Sequence, residues 1–137
     1  MAYKFGKQSL KNLNEAHPAL QKLFHEVIKH IDCSVIEGYR PQEEQNKAYH
    51  AGKSKLKYPE SKHNQKPAMA VDVCPYPIDW KDTARFYYLA GIVKGIATQM
   101  GIKIRSGCDW DGDNDFSDQN FHDLPHFELV EVENDRT

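Results

Sequence analysis

Residues 69–73 read MAVDV, a β-rich run in which one carboxylate, Asp72, interrupts apolar side chains. Alternation along a strand puts Val71 and Val73 on one face and Ala70 and Asp72 on the other. A carboxylate is costly to bury without a partner. Asp72 therefore points to solvent at a sheet edge, pairs with a lysine of the preceding loop, or meets a cation brought to it by the fold.

The other elements follow from periodicity. Residues 18–31 (PALQKLFHEVIKHI) place Leu20, Leu23, Phe24, Val27, Ile28 and Ile31 on one helical stripe, with Pro18 suited to the first turn. Residues 33–39 (CSVIEGY) read as a short strand, Pro41 opens a helix over 41–51 that Gly52 ends, and 52–67 is a loop. A third helix runs over 82–100, with Asp82 as N-cap and Gly101 as its stop. Its stripe is Phe86, Leu89, Ala90, Val93, Ile96, Ala97 and Met100. Strands are expected at 102–105 and 126–130, separated by an Asp/Gly/Asn-rich loop over 107–120, and the tail EVENDRT is expected to fray. Without strict β-α-β alternation this is an α+β fold: a small antiparallel sheet packed with about three helices. At 137 residues, 1–137 forms a single domain.

Composition narrows the function classes. A net charge of −2 provides no field to attract nucleic acid or an anionic membrane. No segment reaches the roughly 18 apolar residues of a membrane span, and the polar N-terminus lacks the apolar core of a signal peptide. Cys33, Cys74 and Cys108 are widely spaced and odd in number, which suits three reduced, buried thiols better than disulfides or a thiolate metal site.

His63, in the loop segment SKH, and His126, in DLPHFEL, can join Asp72 as metal ligands. Pro125 argues against a helix there, so His122 and His126 do not form an i,i+4 pair. A turn through Leu124-Pro125 can instead bring Asp123 and His126 into one cleft, and His126 and Glu128 then share a strand face while Phe127 and Leu129 turn to the core. Two imidazoles and one carboxylate satisfy tetrahedral zinc and leave one position open, the arrangement of a catalytic site. Hydrolysis also needs a base that is not a ligand, and Asp123 is the candidate.

SKHNQKPAMAVDV together with DLPHFEL resembles the metallopeptidase family of D-Ala-D-Ala carboxypeptidases, vancomycin-resistance dipeptidases and phage L-alanyl-D-glutamate endopeptidases, whose fold the Hedgehog signalling domain shares. The phage endolysin branch is the nearest in pattern, and the likeness runs from FGKQS to HFELV. It implies zinc on His63, Asp72 and His126, with Asp123 as general base and then acid. The family's arginine before a helix, with glutamine five residues on, maps onto Arg40 and Gln45. The resemblance gives Arg40 a role in binding a substrate carboxylate or the developing oxyanion, and Ser61 one in substrate contact or in orienting its loop. One departure is visible: the usual His-x6-Asp with an intervening glycine is here His-x8-Asp without one, lengthened around Lys66-Pro67.

The expected activity is hydrolysis of the L-Ala–D-Glu bond of the peptidoglycan stem peptide by a monomer. It would act from the host bacterial cytoplasm without its own signal peptide, with no nucleic-acid or membrane partner. The alternatives are a D-Ala-D-Ala carboxypeptidase of the same family and a non-catalytic zinc-stabilised wall-binding module. Trp80 and Trp110 read as core or cleft-wall residues. Asp109, Asp111, Asp113, Asp115 and Asp118 alternate as calcium ligands do at positions 1, 3 and 5 of a Ca²⁺ loop. The glycine at position 6 and the acid at position 12 are missing in either register: Phe116 and His122 from Asp111, Asn114 and Asn120 from Asp109. Calcium is thus a second candidate cation.

Overall fold

The computed structural model describes residues 3–110 and 123–130. Four strands form one antiparallel sheet: β1 (Cys33–Glu37), β2 (Ala70–Pro75), β3 (Ile104–Ser106) and β4 (His126–Leu129), in the spatial order β1-β2-β4-β3. The helices are α1 (Lys7–Asn14), α2 (Pro18–Val27), α3 (Gln42–His50) and α4 (Thr83–Met100), with a single 3₁₀ turn at Lys62–Asn64. The α+β class and the antiparallel sheet agree with the sequence reading; among the described residues the helices number four, against about three expected.

One face of the sheet is apolar. Val35, Val71, Val73 and Phe127 are sealed against Leu20, Leu23, Phe24 and Val27 of α2 and Leu89, Val93 and Ala97 of α4. Phe24 meets Phe127 edge-on, with centroids 5.5 Å apart. Each such large side chain contributes about 1.5–3 kcal/mol by leaving water. α4 ends where expected, at Gly101 with φ 72°, and α3 is followed by Gly52 with φ 77°. α2 stops four residues before its apolar stripe does. Beyond Val27 the chain tightens into turns, with Lys29 N–H donating to Glu26 O and His30 N–H to Val27 O, while Ile28 stays buried.

α1 lies along the outer edge of β1. Asn12 Nδ2 donates to Val35 O (2.8 Å), and Ser9 Oγ accepts from Val35 N–H (3.0 Å), so polar side chains cover the backbone groups of an edge strand. Gly38 follows β1 at a crossing where a Cβ would stand 2.2 Å from Asn12 O. Only glycine lets the chain pass α1 there.

The opposite face carries the polar residues, and a bulge in β1 arranges them. Cys33, Ser34 and Val35 pair in steady register with Pro75, Cys74 and Val73; the register then slips, so that Glu37 opposes Asp72 where Ile36 would have done. Asp72 in turn opposes His126 on β4. Glu37, Asp72 and His126 thus form one row across three strands. Among the described residues no helix is long and apolar enough to cross a membrane.

Candidate metal centre

Asp72 is buried on β2, and the cation it requires is not a lysine. Its Oδ1 lies 3.2 Å from His63 Nε2 and 3.4 Å from His126 Nδ1. The donor atoms of His63, Asp72 and His126 lie within 4.8 Å of one another, and this is the group among the described residues that could hold a metal ion. Each imidazole is oriented from behind. His63 Nδ1 lies 2.8 Å from Gly38 O, a carbonyl that can only accept, so Nδ1 carries a proton and Nε2 is the nitrogen that faces Asp72. His126 Nε2 lies 2.8 Å from Glu128 Oε1, which leaves Nδ1 facing inward. With the outward nitrogens engaged, the inward Nε2 of His63 and Nδ1 of His126 are the atoms that would ligate a metal once free of a proton.

His63 is aimed by its own turn. Ser61 Oγ accepts from His63 N–H (3.1 Å), and Asn64 Oδ1 accepts from Ser61 N–H (3.0 Å), a reciprocal cap on the 3₁₀ turn. Ser61 is 4% exposed beneath that turn. Its hydroxyl caps the turn that carries His63, which is the orienting role its sequence context allowed. The longer His63–Asp72 connection is accommodated away from the ligands: Ala68 N–H donates to Glu15 O and Ala68 O accepts from His17 N–H.

Asp123 and His126 close the other wall. His126 N–H donates to Asp123 O (3.0 Å), the turn through Leu124-Pro125 expected from the sequence. Asp123 Oδ2 then stands 3.8 Å from His126 Nδ1, outside the ligand group. Gly107 makes this possible: it exchanges backbone hydrogen bonds with Asp123 and His126, and a Cβ on it would lie 2.0 Å from Asp123 O. Sequence reasoning passed over Gly107, because nothing local marks a glycine needed by a segment sixteen residues away.

The charges interlock. Burial pushes the Asp72 carboxyl up, but His63 and His126 outweigh it and hold Asp72 well below the carboxylate range. Burial pulls His126 down, yet its hydrogen bonds to Asp72 and Glu128 push it up to about 9 in the metal-free site. Asp123 is raised to about 6, first by burial and then by the charge of Asp72, with His126, His63 and Arg40 opposing.

Arg40 does line the cleft, but much of its guanidinium is committed. Nε and Nη2 donate to the two oxygens of Glu37 (3.0 and 2.8 Å), and Nη1 donates to Gln45 Oε1 (2.9 Å). Burial opposes its charge and Glu37 restores it, so Arg40 sits above the usual arginine range. A second Arg–Glu pair flanks the site on the β3 side, where Arg105 Nε and Nη2 donate to Glu128 Oε2 (3.1 and 2.7 Å). Glu37, Glu128 and Arg105 were not singled out from sequence. For Glu128 a signal existed, since it shares the face of His126. For Glu37 the bulge hid it.

These groups line a cleft of about 980 Å³ that also takes in Trp80, Trp110, Leu124 and the loop residues Lys53–Leu56. Residues 1–130 match the family described as phage L-alanyl-D-glutamate peptidase. This chain belongs to that family. The L-alanyl-D-glutamate peptidase of Escherichia phage T5 is 33% identical over 138 aligned positions, covering 95% of this chain and 100% of that protein. The crystal structure of ChiX, an L-Ala D-Glu endopeptidase of Serratia marcescens, superposes with a TM-score of 0.73 at 26% identity, covering 93% of this chain and 90% of that one. Of the readings the motifs left open, family, phage relative and bacterial structure all fall on the endopeptidase branch, and the chain is a peptidase of phage-endolysin type.

The remaining expectations divide. Cys33, Cys74 and Cys108 are free and buried; burial pushes the first two thiols up to about 12 and the third to about 11, so none is a nucleophile at neutral pH. Of the calcium candidates, Asp111, Asp113, Asp115 and Asp118 lie outside the described residues, as does His122. Asp109 is described, and its Oδ2 is paired with Lys94 Nζ at 2.9 Å.

Proposed function

We propose that the protein hydrolyses the L-Ala–D-Glu bond of the peptidoglycan stem peptide at a zinc ion held by His63, Asp72 and His126. The observation that carries this reading is the buried His-Asp-His group with both imidazoles locked from behind, set in a chain of the L-alanyl-D-glutamate peptidase family. Two nitrogens and one carboxylate oxygen suit zinc better than calcium or magnesium, which favour all-oxygen shells. Bound zinc supplies Lewis acidity, polarising a carbonyl and acidifying water.

The chain's own groups do the rest. Asp123, largely ionised at neutral pH, takes the proton of the attacking water and passes it to the leaving amine nitrogen of D-Glu. Arg40, braced by Glu37 and Gln45, presents a fixed cationic charge to the oxygen that becomes negative, or to the D-Glu α-carboxylate. Glu128 holds His126 in its ligating tautomer, and Arg105, with Lys62 3.5 Å away, holds Glu128.

Digestion of purified peptidoglycan with zinc-loaded protein, followed by mass spectrometry, tests the reading. The expected products are muramyl-L-Ala and peptides with new D-Glu amino termini, without free D-Ala. Release of D-Ala alone would identify a carboxypeptidase.

The orientation of His126 yields a separate expectation. Glu128→Ala weakens zinc binding by about 10–100-fold, the usual effect of removing the partner behind a ligating histidine. Glu128→Gln, which keeps an acceptor, loses less. Competition against a chromogenic chelator measures both, and unchanged affinity in Glu128→Ala would remove Glu128 from this role.

A further inference from the structure

Trp80 is 56% exposed, yet it lines the same cleft as His63, Asp72, Asp123 and His126. One face of its indole stacks on Phe86, with centroids 5.4 Å apart and planes 20° from parallel. Phe86 is itself buried in α4, so it fixes the plane of the indole and leaves the opposite face open. The loop that carries Trp80 is anchored at several points. Tyr76 N–H donates to Asp32 O (3.1 Å), Arg85 Nη1 to Pro77 O (2.7 Å), and Lys81 N–H to Asp79 Oδ1 (3.0 Å). Trp110 differs: it packs 5.3 Å from His126 and 5.5 Å from Arg105, as a wall of the metal site. An exposed aromatic held flat and rigid at a cleft loses little freedom on binding a ligand.

Resting on the L-Ala–D-Glu reading, we propose that Trp80 is a stacking platform for a pyranose ring of the glycan strand, so that the cleft recognises the sugar as well as the peptide. In the stem peptide the L-Ala nitrogen is acylated by the lactyl group of the muramyl sugar. Only one residue and that lactyl ether separate the scissile carbonyl from the ring, a span of roughly 7 Å at full extension, taking each as one residue length. The sugar must therefore lie at or just beyond the edge of the catalytic cleft. The axial C–H face of a pyranose is apolar while its rim is hydroxylated. It suits an open indole face better than an apolar protein side chain does, because the hydroxyls stay in water. Tyr76 and Ile78 are also exposed on the same loop.

The test compares two synthetic substrates that differ only in the sugar: N-acetylmuramyl-L-Ala-γ-D-Glu extended by the third residue of the wall digested above, and the same peptide with N-lactoyl in place of the muramyl group. In wild type, kcat/KM is expected to be about tenfold higher for the muramyl substrate, an effect the size of one good aromatic contact. In Trp80→Ala that ratio falls towards one, and in Trp80→Phe, which keeps a ring, most of it survives. Zinc content and circular dichroism show that each variant is folded; a merely structural defect would lower both rates and leave the ratio intact. A wild-type ratio near one, or a ratio unchanged in Trp80→Ala, would overturn the platform. Failure to cut either substrate would overturn the L-Ala–D-Glu reading and the platform with it.

Discussion

Asp123→Asn should retain stoichiometric zinc and lose about 10²–10⁴-fold in kcat, the typical contribution of a positioned acid–base group. The side chain stands 3.8 Å from His126 Nδ1 and outside the ligand group, so exchanging one oxygen for an amide leaves the donor set untouched. Its volume and its backbone bonds to Gly107 and His126 are also preserved. What disappears is the ability to accept a proton. The pH profile carries the same assignment. With Asp123 raised to about 6 by burial and by Asp72, the base is protonated and inactive below that value and ionised above it. Wild-type kcat/KM should therefore rise with pH along an acidic limb at or below about pH 6, since bound cation pulls the limb down. The residual activity of Asp123→Asn should lack that limb. Loss of zinc in this variant would move Asp123 into the ligand set, and normal turnover would remove it from the chemistry.

His63→Ala should abolish both metal binding and activity. It deletes one of three donors and removes the anchor to Gly38 O that aligns the site with the bulged end of β1. It also leaves Asp72 buried with His126 and the more distant Arg40 as its remaining partners, at 3.4 and 3.8 Å. Metal binding to the wild-type apoprotein should release protons. His126 sits at about 9 before loading and must be neutral to ligate, so at pH 7 close to one proton leaves it as zinc enters. Calorimetry in buffers of different ionisation enthalpy reads that number. A His63→Ala protein that still bound zinc with wild-type affinity would show that the ligands are other residues.

Much of this centre was legible before any coordinates. A single carboxylate in an apolar strand demands a partner, and strand alternation alone puts Asp72 on the face away from Val71 and Val73. Pro125 ruled out a helix and pointed to the turn that joins Asp123 to His126. What stayed hidden depended on tertiary register. α1 escaped periodicity because its inward face includes Ser9 and Asn12, which bind the edge of β1 in place of filling a core. Glu37 escaped because simple alternation gives the position opposite Asp72 to Ile36, and only the bulge substitutes its neighbour. Ser61 was assigned by motif to the substrate or to the loop, and its reciprocal cap with Asn64 was not legible in either assignment. Arg40 was singled out and lines the cleft, but the Glu37 clamp that takes up two of its nitrogens was not foreseen.

Stepwise zinc titration of the apoprotein, with release of muramyl-L-Ala followed at each addition, tests the central claim most directly. Activity should rise from zero in proportion to added metal and level off at one equivalent, while His63→Ala remains silent throughout. Full release of muramyl-L-Ala by metal-free protein, or by His63→Ala, would contradict a zinc peptidase built on His63, Asp72 and His126.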